Sequence, residues 1–211
     1  YPLPLWAFFT GLIVGSVIYL LRLHPLSGGL EKTFFVLGSV IAYGISTAPP
    51  MVLEGNLITM FFAGSIALCA MILPGISGSF ILVLLGLYPV FIGAIANLQL
   101  DILVVFASGG IIGLMLFSRL LSWLLAHFQG RVIAVMCGFL VGSLNVIWPW
   151  KQIFAAGQGI GQSSSNLLPH QFLSVVGQDP QTLICLTTFF LGLALVLLLE
   201  YAAKIKPDPA S

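Results

Sequence analysis

Apolar side chains run along this chain in long stretches nearly free of charge: 5–21, 33–53, 57–73, 79–96, 102–125, 132–149 and 182–203. A helix needs about 20 residues to cross a bilayer, within a range of roughly 17–25. The pattern predicts an all-α, polytopic membrane protein, a helical bundle forming a single transmembrane domain over 1–211. The pair 57–73 and 79–96 sits at the short end of that range and is joined by the break Pro74-Gly75-Ile76-Ser77-Gly78. Two full spans and a re-entrant hairpin that returns to its own side both satisfy this pattern. Ala48-Pro49-Pro50 interrupts the second stretch, so that helix is expected to kink or end early.

Composition sharpens the class. The chain is 59% hydrophobic and 6% charged, with a mean hydropathy of +1.14, against about 25% charged residues in a soluble domain. A formal charge of +1 leaves no basic surface for nucleic acid. Cys69, Cys137 and Cys185 each lie inside an apolar run without ligand spacing, and His24, His127 and His170 fall in connecting segments. No metal site and no cofactor is expected. Tyr1 opens the chain with no basic residue before the first apolar run, which is not a signal-peptide pattern; a longer parent chain is expected.

Threading the spans puts Arg22, Lys32, Arg131, Lys204 and Lys206 on one side, with Arg119 near its edge. The other side, with loops 54–56, 97–101 and 150–181, holds only Lys151. The positive-inside rule makes the basic side cytoplasmic, the tail 204–211 included, and loop 150–181 external.

The chain also echoes itself. "AFFTGLIVGSV" (7–17) aligns without gaps on "AVMCGFLVGSL" (134–144), with Gly11/Gly138, Gly15/Gly142 and Ser16/Ser143 identical at an offset of 127. Thr33-Phe34-Phe35 is echoed by Thr188-Phe189-Phe190. An odd number of crossings separates the copies under either reading of the broken pair, so they run in opposite directions, the inverted-repeat plan of many secondary transporters. The four glycines Gly11, Gly15, Gly138 and Gly142 are also the spacing by which neighbouring helices pack closely. The same offset predicts a second Pro-Gly-x-Ser-Gly break upstream of Tyr1.

Unpaired backbone at membrane depth is tolerated only when buried in protein or facing a watery cavity. Gly75 and Gly78 let the backbone approach a ligand, Ile76 lies between them, and Ser77 and Ser79 add hydroxyls. The next helix, opening at 79–82, offers free N–H groups, a combination that favours phosphate or carboxylate. A plain turn between two spans fits the residue types equally well. Arg119, six residues before the end of its apolar run, suits phosphate through its guanidinium fork, or snorkels to the headgroups. Glu54, beside the start of the broken pair, is a candidate coupling group or an exposed loop acid. No catalytic set is visible. "GQGIGQSSSN" (157–166) follows no strand and reads as an external loop.

"LPGISGSFILVLLGLY", followed by "FSRLLSWLL" and "GFLVGSL", resembles the bacterial polyprenyl-phosphate transporter family over essentially the whole chain, without its first part. The resemblance implies translocation of undecaprenyl phosphate across the cytoplasmic (inner) membrane for carrier-lipid recycling in cell-wall biogenesis, with two Pro-Gly-x-Ser-Gly motifs in the complete protein. The lipid substrate is the implied partner, and a homo-oligomer stays open. Two rivals remain. Undecaprenyl-diphosphate phosphatase carries a similar motif, but Gly78 stands where its Arg would be and no acidic cluster accompanies it. A transporter of a small soluble anion would use the same loop but needs a polar pore.

Overall fold

A computed structural model describes residues 3–151 and 166–205, with side chains as far as 202. Tyr1, nearly all of the 157–166 loop and the tail from 206 onward lie outside the described residues. The described chain folds into α1 (Leu3–Leu23), α2 (Gly29–Thr47), α3 (Leu57–Ile72), α4 (Gly78–Leu84), α5 (Tyr88–Ala96), α6 (Leu100–Ile147), α7 (Pro169–Val176) and α8 (Thr182–Ile205). This is an all-α membrane protein. α1, α6 and the 182–202 part of α8 are each long and apolar enough to cross a bilayer.

Local chemistry sets the ends. Glu31 Oε2 accepts from the backbone N–H groups of Ser27 and Gly28, at 2.8 and 3.3 Å, and so closes the start of α2. Pro49 and Pro50 stop the same helix: Ala48 turns to extended backbone (ψ 136°). The stretch expected over 33–53 therefore ends at Thr47. Asn56 Oδ1 caps α3 by accepting from Thr59 N at 2.9 Å.

Three expected boundaries are corrected. The stretch 79–96 is not one helix: Gly86 takes a φ of +72° and separates α4 from α5, which meet at 113°. A left-handed residue ends a helix at little cost only when it is glycine. The break expected over 126–131 is present but narrower, a single non-helical residue. α6 is helical from Leu100 to Ile147 except at Phe128 (φ −137°, ψ 39°). A straight helix of 48 residues would be about 72 Å long, more than twice a hydrocarbon core of about 30 Å, so the break at Phe128 divides it into two arms. Stretch 150–181 contains α7, whose Phe172 is buried with Leu3, Ala7 and Cys185.

The arms fold back on each other. Gly109 and Gly113 of the first arm meet Phe61 and Ser65 of α3, so the two helices run parallel. Gly75, just past α3, meets Phe139 and Ser143 of the second arm. The contacts lie roughly 16–28 Å from the kink along their own arms, and only a hairpin lets α3 reach both. At the bend, the Arg131 guanidinium sits 5.1 Å from the Phe128 ring centre.

The internal echo is built into the packing. A Cβ on Gly11 would strike the Phe189 carbonyl, and one on Gly192 the Phe8 carbonyl, so α1 and α8 touch backbone to backbone. Gly138 and Gly38 stand in the same relation to the carbonyls of Phe35 and Val135, joining the second arm of α6 to α2. Residues 8 and 11 become 135 and 138 at the offset of 127; residues 35 and 38 become 189 and 192 at an offset of 154. Gly15 and Gly142 continue the two seams, against Val196 and against Ala42. In lipid, where apolar burial does not drive helices together, such close approach is what holds a pair. The echo on α8 is thus shifted by one from Thr188-Phe189-Phe190: Phe35 corresponds to Phe189 and Gly38 to Gly192.

The copies run in opposite directions. Thr10, early in α1, donates to the carbonyl of Ile147 at the end of α6, at 3.4 Å. The start of α2, at Glu31, lies beside Gly130 at the start of the second arm. α1 therefore points against its counterpart, and α1–α2 and the second arm with α8 form an inverted pair. Arg22, Lys32 and Arg131 gather at one end of this bundle.

Candidate functional site

Where the α3–α4 break meets the ends of α2 and α6, a cavity of about 330 Å³ opens, lined by Ala42, Ile45 and Ser46, by Gly75–Ser77 and Phe80, and by Ser143, Val146 and Ile147. Its position follows from backbone chemistry. Gly75 holds a φ of +91°, and a Cβ there would lie 2.6 Å from Ser143 Oγ and 2.8 Å from Ser143 Cβ. Only glycine permits both the turn and the approach. The break is thereby pressed on the second arm at Ser143, the residue that echoes Ser16.

The candidates read from the sequence divide. Gly75, Ile76 and Ser77 line the cavity. Gly78 is buried against α3, where a Cβ would lie 2.8 Å from the Ala67 carbonyl oxygen. Ser79 is exposed, its hydroxyl 2.7 Å from that of Ser77. Arg119 is exposed on the first arm and does not line the cavity. Glu54 is exposed in the segment before α3, where its carbonyl accepts from the Thr59 hydroxyl at 2.5 Å. The helix behind the break has seven residues rather than the eighteen of 79–96, so its dipole is weaker than the sequence suggested.

Polar groups that the sequence reading passed over rim the same end. Asn145 Nδ2 donates to Ser46 Oγ at 3.1 Å, and Asn166 Nδ2 donates to the Asn145 carbonyl at 3.2 Å. Ser46 in turn donates to the Tyr43 carbonyl at 2.7 Å. Lys151 folds back to donate from Nζ to the Val146 carbonyl at 2.5 Å, and its backbone bridges to Asn166. Burial pushes the Lys151 ammonium below the usual lysine range. Its signal in the sequence was its isolation: no other Lys or Arg falls between Arg131 and Lys204. The four donors and acceptors come from α2, from α6 and from positions 151 and 166, which bridge each other beyond it; no single-window reading brings them together.

These features define a polytopic helical membrane protein in which an inverted repeat frames a broken helix and a small, mostly apolar cavity with polar walls. Residues 1–168 match the undecaprenyl phosphate translocase-like family. The chain is 41% identical over 210 residues to a polyprenyl-phosphate transporter of Vibrio cholerae, covering 97% of this chain and 68% of that protein. It is 32% identical over 168 residues to a polyprenyl-phosphate transporter of Staphylococcus aureus, covering 70% of this chain and 58% of that protein. No solved structure matches the chain. The chain belongs to the undecaprenyl phosphate translocase-like family.

Proposed function

We propose that this protein moves undecaprenyl phosphate, or a related polyprenyl phosphate, across the bacterial cytoplasmic membrane. One observation carries the reading: the Gly75–Ser77 break, which a membrane helix would avoid, faces a cavity between one helix from each repeat, α2 and the second arm of α6. Backbone groups and the hydroxyls of Ser46, Ser77 and Ser143 would replace water around the phosphate, while Ile45, Val146 and Phe80 favour the isoprenoid that enters with it. The basic end of the bundle, with Arg22, Lys32 and Arg131, faces the cytoplasm on this reading, and the cavity lies nearer the external face. Arg119 then serves as an anchor at the headgroup level rather than in the resting cavity, and Glu54 stays a coupling candidate in the external segment.

A carrier fits the site better than a phosphatase. An arginine at position 78 would have to displace the α3 backbone at Ala67, and no carboxylate lines the cavity among the described residues to act as base or nucleophile in phosphoryl transfer. The test is flipping of labelled undecaprenyl phosphate in proteoliposomes. Ser77→Ala is expected to slow it about three- to tenfold, the worth of one buried hydrogen bond at roughly 0.5–1.5 kcal/mol, and Arg119→Ala by less than twofold. Wild-type protein that leaves the lipid in its original leaflet defeats the proposal, as does release of phosphate from the lipid diphosphate.

A further inference from the structure

A phosphate monoester carries about 1.5–2 negative charges at neutral pH. Moving such a charge out of water is costly unless a cation is paired with it. Hydroxyls and backbone N–H groups line the cavity, and they do not neutralise a dianion. A cation is required, and the sequence offers few. No Lys or Arg falls between Lys32 and Arg119, nor between Arg131 and Lys204 except Lys151. Arg119 stands exposed on the first arm, while Arg22, Lys32 and Arg131 sit at the opposite end of the bundle.

Lys151 is at the right end. Its ammonium rests on the carbonyl of Val146, and Val146 and Ile147 both line the cavity. The Asn166–Asn145–Ser46 chain reaches the cavity wall from the same side. An ordinary helix-end lysine satisfies the last carbonyls of its helix and nothing more. Lys151 does not itself line the cavity, but it is half-buried against Val146, which does, and an ammonium has three donors, of which Val146 takes one.

We infer that Lys151 is the cation that neutralises the phosphate monoester in the cavity, loading it at the external mouth by exchanging the Val146 carbonyl for a phosphate oxygen. The inference rests on the proposed function and names the charge which that reading lacks. It also gives the site a side: the headgroup meets its counter-ion first where loop 150–181 emerges, and leaves it to travel inward.

The test uses the full-length protein in nanodiscs, with farnesyl phosphate and farnesol as probes. Lys151→Gln is expected to weaken farnesyl phosphate binding tenfold or more and leave farnesol binding unchanged, whereas Lys151→Arg stays within threefold of wild type. In wild-type protein, where no substitution can disturb folding, farnesyl phosphate but not farnesol should protect Lys151 from reductive methylation, read by mass spectrometry. Unchanged binding in Lys151→Gln, or equal methylation with and without farnesyl phosphate, overturns the inference and leaves the transport proposal standing. Wild-type protein that binds farnesyl phosphate no better than farnesol overturns both. Displacement of farnesyl phosphate by equimolar inorganic phosphate would show that the site takes the free anion, and overturns the lipid headgroup as its ligand.

Discussion

The two repeat-related pairs, α1 with α8 and α2 with the second arm of α6, share a seam and differ in what the seam supports. Both are held by glycines pressed on carbonyls one turn apart: Gly11 and Gly192 in one, Gly138 and Gly38 in the other. Past the seam the pairs diverge. In the α2 pair, Ser46 and Ser143 face a cavity closed by Gly75–Ser77. The offsets of 127 and 154 put Ser16 and Glu200 at the matching places of the α1 pair. Backbone packing is therefore common to the halves while the chemistry at their ends is not. Scaffold and site are separable parts of this molecule, because the first depends on missing side chains and the second on those present.

The sharpest way to break the comparison is to fill both seams. Gly11→Val and Gly138→Val are each expected to lower stability by amounts at or beyond the upper end of about 1–3 kcal/mol, read as thermal midpoints in detergent. Gly44→Ala, with nothing within 4 Å of its Cβ position, should be neutral or slightly stabilising. Sensitivity at Gly138 without sensitivity at Gly11 would mean the seams are not equivalent.

A smaller effect isolates the site from the scaffold. Gly75→Ala is expected to reduce flipping about tenfold while moving the midpoint much less than a seam valine does. Gly75→Ala with Ser143→Gly should recover part of that loss, because it removes the Oγ and Cβ contacts and leaves the strain of a positive φ. No recovery would put the whole defect in the backbone turn. The smallest expected difference lies between the echoed serines. Ser143→Ala should slow flipping about twofold to fivefold, on the order of 0.5–1 kcal/mol, and Ser16→Ala not at all. Equal losses would show that the α1 end handles substrate too.

Much of this arrangement is legible in the residues. The proline pair at 49–50, the Gly-x-x-x-Gly spacing and the Pro-Gly-x-Ser-Gly break are local signals with local consequences. The echo around Thr33 was legible to within one residue, because apolar segments match in several registers and only the carbonyl contacts choose among them. The break at Gly86 went unseen inside "LVLLGLYP", although Pro89, at the second position of α5, pairs with it as a stop and a start. The bend was legible as the polar stretch 126–131 between the spans 102–125 and 132–149, with Gly130 inside it; that only Phe128 leaves helical torsions was not. Lys151 was visible as a lone charge, but its seat on Val146 depends on the chain turning back after Pro149, which periodicity does not encode. Arg119 shows the reverse case: a partner by residue type, placed outside the cavity because its arm of α6 lines none of it.

α6 is one covalent rod serving two masters. Its first length carries the α3–α5 block and its second carries α2, with a single residue out of helical register between them. Rocking of one block against the other would turn on two covalent joints, the torsions about Phe128 and the non-helical segment 48–56. Loosening the first joint, for instance by removing the ring that Arg131 covers, would retune the whole machine without touching the groups that grip its cargo.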